Sequence, residues 1–159
     1  MAVRNFNEMG DNLMDIVKRL LTNQSLCKLL EYTDKNPLKH PDFINTKELL
    51  HKRIRIVPKV EPQEDTKSTL VVMFVNGYKN SNPEFKTLSL LVYVYCPFEE
   101  WQINDNQLRP FAIMSEVQES LDGKQVKGLG RLQLKEFSLD LITDEMGAYK
   151  MDFTLDAFN

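Results

Sequence analysis

The spacing of apolar residues changes once along the chain, from every third or fourth position to every second. Phe6, Met9, Leu13, Ile16, Val17 and Leu20 recur at helical spacing, which places them on one face of an amphipathic helix. From residue 53 the alternation Arg53-Ile54-Arg55-Ile56-Val57 begins a strand pattern that persists to the end, the mark of a sheet with one buried face. Helices followed by strands make an α+β arrangement, with a mostly antiparallel sheet of four to five strands covered by an N-terminal helix and a mid-chain helix. With 159 residues, the chain reads as a single domain: a helical part over 1–52 and a sheet with one inserted helix over 53–159. A compact chain of this length buries about 70% of the surface its unfolded form exposes, so neither disulfides nor a metal are needed to fold it.

Local signals place the elements. Asn5 followed by Glu8 resembles a capping box for the first helix. Thr22-Asn23 interrupts it, and Leu26, Leu29 and Leu30 mark a second helix over Ser25 to Tyr32. Asp34-Lys35-Asn36-Pro37 is turn chemistry, and Thr46 to Lys52 supports one more helical turn. Lys59 to Ser68 is polar, contains Pro62 and reads as a loop. Thr69 to Val75 is a strongly apolar strand, after which Asn76-Gly77 reads as a turn pair leading through Asn80-Ser81-Asn82-Pro83. Lys86 to Tyr95 is apolar on both faces, as expected of a central strand. A helix over Gln107 to Leu121 must hold Pro110 in its first turn. Its buried stripe is Ile113, Met114, Val117 and Leu121, and Asp122-Gly123 stops it. In the strand Arg131 to Ile142, Leu132 and Leu134 share one phase while Phe137, Leu139 and Leu141 share the other, which predicts a β-bulge near Lys135-Glu136. Asp144-Glu145-Met146-Gly147 forms a hairpin loop, and Tyr149, Met151, Phe153 and Leu155 point inward on the last strand.

Composition excludes several function classes. The hydrophobic content of 42% and charged content of 27% are those of a globular chain, not a disordered one. The net charge of -3 argues against broad electrostatic capture of nucleic acid. The charge is uneven: residues 28–55 hold seven basic and four acidic side chains, whereas 56–159 hold ten basic and sixteen acidic. Opposite faces of identical subunits can attract in this way. Cys27 and Cys96 have no partner at metal-ligand spacing and read as buried, reduced thiols of a cytoplasmic protein. The start Met1-Ala2-Val3-Arg4-Asn5 carries no apolar signal core. The longest apolar run, Leu70 to Val75, is far short of the roughly 18 residues that span a bilayer.

No catalytic signature emerges. His40 and His51 stand eleven apart across a proline-bearing stretch, not at the three- or four-residue spacing of helical metal ligands. Glu99-Glu100 and Asp144-Glu145 fall in expected loops, where solvation explains them better than acid–base work. Gly128-Leu129-Gly130 lacks the third glycine and the preceding strand of a dinucleotide fingerprint. Lys52-Arg53 and Arg55 come nearest to a nucleic-acid patch, and one strand face explains them. The expectation is no enzyme, no cofactor, no metal, no membrane and no sequence-specific nucleic acid.

The opening Asn12-Leu13-Met14-Asp15-Ile16-Val17-Lys18-Arg19-Leu20-Leu21 continues to Leu29-Leu30-Glu31-Tyr32-Thr33-Asp34-Lys35-Asn36-Pro37-Leu38. The block Leu88-Ser89-Leu90-Leu91-Val92-Tyr93-Val94-Tyr95-Cys96-Pro97 precedes a helix, Arg109 to Leu121, and a closing hairpin, Phe137 to Leu141 and Tyr149 to Phe153. In these stretches and in element order from Asn12 to Phe158, the chain resembles the tail terminator (tail-completion, neck) proteins of long-tailed bacteriophages. The 36–52 stretch is long for that family. The resemblance implies a non-enzymatic virion protein, assembled in the host cytoplasm and located in the tail or neck. It implies a hexameric ring at the head-proximal end of the tail tube, a homo-oligomer that ends tube polymerisation and meets tail tube protein and head–tail connector proteins. Lys59 to Ser68, Asn76 to Phe85 and the 123–130 turn are the expected contact loops. A head-side connector or stopper shares this size and symmetry, and a small monomeric module binding a host protein is the remaining alternative.

Overall fold

A computed structural model describes residues 5–57, 67–79, 85–126 and 130–156. Helix α1 (Phe6–Leu21) begins at Asn5, whose Oδ1 accepts the backbone N–H of Glu8 at 3.0 Å. That bond satisfies one of the donors a helix start leaves open. Asn23 starts α2 (Gln24–Glu31) in the same way, accepting from Leu26 N at 3.0 Å. The Asn23 amide also donates to Ser120 Oγ at 2.9 Å and so ties the elbow between the two helices to α3 (Arg109–Leu121). The three helices pack against one another on one face of the sheet. The expected turn at Thr46 to Lys52 is a 3-10 turn over Thr46–Leu49.

The sheet contains β1 (Ile54–Arg55), β2 (Thr69–Lys79), β3 (Phe85–Pro97), β6 (Gln125–Val126), β7 (Gly130–Ile142) and β8 (Met146–Asp156), in the order β1-β2-β3-β8-β7-β6. The fold is α+β as expected, with six strands rather than four to five: the four long ones are antiparallel, and the two-residue β1 runs parallel to β2. A separate small hairpin, β4 (Gln102–Ile103) with β5 (Gln107–Leu108), precedes the helix and takes Gln107 and Leu108, the residues expected to begin it. Asp105 and Asn106 take φ of 62° and 59° at its tip, the left-handed conformation that Asp and Asn tolerate best. Pro110 falls in the first turn of α3, as its missing N–H requires.

Leu70, Val72, Leu88, Leu90, Val92, Val94, Met151, Phe153 and Leu155 face the helices and are almost wholly buried against Ile16, Leu20, Leu26, Leu30, Ile113, Val117 and Leu121. Two features depart from the local sequence signals. Asn76-Gly77 lies inside β2, not in a turn: Asn76 pairs with Ser89 and Gly77 with Leu88, with the register shifting across Val75. Pairing with β3 overrides the local turn chemistry, and the extra residue is absorbed as a bulge. In β7 the expected bulge is present between Leu134 and Glu136, and a second shift lies between Leu139 and Leu141. Phe137 and Leu139 therefore share the helix-side face with Tyr149, while Leu141 pairs with Ala148 on the other face.

Candidate functional site

The residues with possible chemistry are scattered. His40 Nε2 lies 2.8 Å from Asp34 Oδ1, and its ring stacks on Tyr32 with centroids 3.8 Å apart. That hydrogen bond holds the Asp34 carboxyl below its ordinary pKa. His51 sits away from it in an exposed turn at φ 68°. Asp144 and Glu145 are exposed at the β7–β8 hairpin. Glu99 is exposed too, but Glu100 is buried, accepting from Ser68 Oγ at 2.9 Å and Ser68 N at 3.3 Å. Burial raises its pKa, against the pull of the Ser68 bonds and of Arg109. Among the described residues no three His, Cys, Asp or Glu side chains group to hold a metal, and no helix is long and apolar enough to cross a membrane.

Arg109 is the largest fully buried side chain. It donates to four backbone carbonyls: Glu100 O at 2.8 Å from Nε, Leu29 O at 2.5 Å and Tyr32 O at 2.8 Å from Nη1, and Asp34 O at 2.7 Å from Nη2. The guanidinium satisfies the orphan carbonyls at the end of α2 and pins them to the β3–α3 connection. Its role is positional. A sequence signal for it existed: Arg109, Ile113, Val117 and Leu121 stand four apart on one helix face. Cys27 and Cys96 are free and buried, and burial pushes their pKa values up to about 11 and about 12.

The features open to a partner lie at the two sides of the sheet. β6 pairs with β7 only at Gly130 and Arg131, so from Gln133 to Ile142 no described strand covers the outer edge of β7. Beside it, Phe137 (57% exposed), Leu139 (49%), Ile142 (64%) and Phe111 (44%) form an apolar shelf. Its rings join a chain: Phe111 and Phe137 lie 5.3 and 6.2 Å from Tyr149, which lies 6.2 Å from Trp101. α3 begins at Arg109 and leaves this end of the sheet uncovered, which is why residues in the inward phase of β7 meet solvent.

At the opposite edge, beside β1, an open cleft of about 590 Å³ is lined by Glu31, Tyr32, Phe43, Glu48, Leu49, Lys52, Arg53, Arg55 and Lys67. Tyr32 and Phe43 stack at 5.4 Å. Glu31 is held by Arg53 Nε at 3.1 Å and Lys67 Nζ at 3.3 Å. Arg53, expected to face outward, is 6% exposed because of this pair. The sequence identified Lys52, Arg53 and Arg55 but not the fold that sets Lys67 and Glu31 beside them. Of the expected contact loops, residues 59–66, 80–84 and 127–129 lie outside the described residues. Asn76 to Lys79 are strand, and Gln125–Val126 is β6.

The protein-family model YomW matches residues 23–155, most of the chain, from α2 to the end of β8. The family takes its name from a phage-type gene, which suggests a phage-associated protein. No curated protein matches the chain.

Proposed function

We propose, from the premise that the chain belongs to the YomW family, that it is a structural protein of a phage virion. In this reading it forms a ring at the head-proximal end of the tail tube, ends tube polymerisation and joins the tail to the head connector. The observation that carries the reading is the outer edge of β7, which beyond Leu134 no described strand covers, with its apolar shelf of Phe111, Phe137, Leu139 and Ile142. A long unpaired edge flanked by exposed apolar side chains invites pairing with another chain unless it is guarded or covered. Contact through two different surfaces of one subunit closes into a ring when the rotation per subunit permits. The phage-type name of the family and the resemblance to tail terminators in the helices and the closing hairpin support the same reading.

The test is light scattering coupled to size exclusion, with negative-stain images, on the chain alone and with tail tube protein. Rings of six subunits, formed alone or on tube ends, are the expected result. A species that stays monomeric at high concentration in both conditions overturns the proposal. A ring that binds the head connector but leaves tube length unchanged points to the stopper position in the neck.

A further inference from the structure

We infer that the acidic β7–β8 hairpin of one copy seats in the basic cleft beside β1 of a second copy, which deepens the ring reading and rests on it. The hairpin is a preformed knob. Thr143 N donates to Met146 O at 2.8 Å, and Thr143 Oγ1 accepts from Glu145 N at 3.3 Å and Met146 N at 3.0 Å. Phe98 N donates to Glu145 O at 2.8 Å, and Trp101 lies directly against Gly147 at the base. The exposed Asp144 and Glu145 therefore project from a fixed frame, so docking costs little ordering entropy.

The charges are complementary. Residues 135–152 carry five acidic and two basic side chains. The cleft wall carries Lys52, Arg53, Arg55 and Lys67 against Glu31 and Glu48. Glu31 pairs with both Arg53 and Lys67, so the lining residues together carry four basic side chains against two acidic ones. The two surfaces cannot meet within one chain, because β2, β3 and β8 stand between β1 and β7. The apolar shelf is level with β1, since Ile54, Leu70, Val94, Tyr149 and Leu139 form one rung across five strands, and the hairpin lies a few residues beyond that rung. A neighbour placed head to tail brings knob to cleft, and the apolar shelf beside the hairpin is covered in the same contact. A two-fold dimer through either surface would instead oppose like charges.

The test uses two double variants of the full chain, Asp144→Lys with Glu145→Lys and Lys52→Glu with Arg55→Glu. Circular dichroism and thermal melts first establish that both keep the fold. Assembly is read by light scattering under the condition in which the unmodified chain assembles. Each variant alone is expected to raise the concentration for half-assembly by at least about tenfold. An equimolar mixture is expected to restore assembly, because each reversed hairpin then meets a reversed cleft around an alternating ring. Assembly that neither variant weakens, or a mixture that stays dissociated, overturns the hairpin–cleft contact and leaves the ring reading standing. An unmodified chain that remains monomeric, alone and with tail tube protein, overturns both.

Discussion

At the residue scale, the buried polar groups set the largest expected effects. Removing the Arg109 guanidinium leaves the buried carbonyls of Leu29 and Glu100, and the part-buried ones of Tyr32 and Asp34, without this donor. Each unsatisfied buried group costs about 1–3 kcal/mol. Arg109→Met should therefore lower the unfolding free energy in urea by at least about 2 kcal/mol, and a loss under about 1 kcal/mol would show that the clamp is dispensable. Glu100 makes a pH prediction. Because burial raises its folded-state pKa, the fold favours the protonated form. Its contribution to stability is complete below the unfolded carboxylate value of about 4.3 and is lost as pH rises through the raised folded value. The stability advantage of Glu100→Gln over the unmodified chain should thus grow with pH across that window and then level off. Parallel stability curves from pH 4 to 8 would refute it. The thiols of Cys27 and Cys96, raised to about 11 and about 12, stay protonated at neutral pH. Both should resist alkylation in the native protein and react once it is unfolded.

At the element scale, the helices and the long strands were legible in the sequence because a period of 3.6 or 2 survives over ten residues or more. Asn5 and Pro110 marked helix starts, and Thr22-Asn23 the break between the first two helices, by chemistry that is local. What could not be read from local pattern was set by pairing with distant strands. Asn76-Gly77 has turn chemistry, yet ten residue pairs with β3 hold it in β2. The second phase change in β7, at Asp140, leaves no mark in a run that alternates cleanly from Phe137 to Leu141. The two surfaces offered to a partner were half legible. The acidic hairpin and Lys52-Arg53 stand in the sequence, whereas the cleft needs Glu31, 22 residues from Arg53, and Lys67, 36 residues from Glu31. Gly147 is a residue that the hairpin's sequence does not explain. A Cβ there would lie 2.5 Å from Trp101 Cη2 and 3.2 Å from Phe98 Cε1. Trp101 is wedged between Phe98 and Tyr149 and has little room to give. Gly147→Ala should therefore destabilise by about 1–3 kcal/mol, measured by urea unfolding. Unchanged stability would mean that the indole can shift.

At the scale of the whole molecule, the three helices cover one face of the sheet from α1 to α3 and stop short of the Phe137–Ile142 end. Stability and assembly should therefore separate. Phe137 and Leu139 are each about half exposed in the subunit, so replacing both with serine removes about as much buried apolar area as one fully buried side chain and should lower the unfolding free energy by about 2–3 kcal/mol. If the shelf is covered by a neighbouring copy, the same pair of changes removes apolar contact that assembly requires. The double variant Phe137→Ser, Leu139→Ser should then keep a cooperative melt, at a lower temperature, and run as a monomer where the unmodified chain runs as a ring. Salt provides the second axis of the same experiment. The charged contribution is screened between 0.1 and 1 M, where the Debye length falls from about 10 to about 3 Å. The apolar contribution persists. Assembly of the unmodified chain should weaken over that range without vanishing. Rings that form with both serines in place would place the interface elsewhere on the subunit, and loss of the cooperative melt altogether would show that the shelf belongs to the subunit's own core.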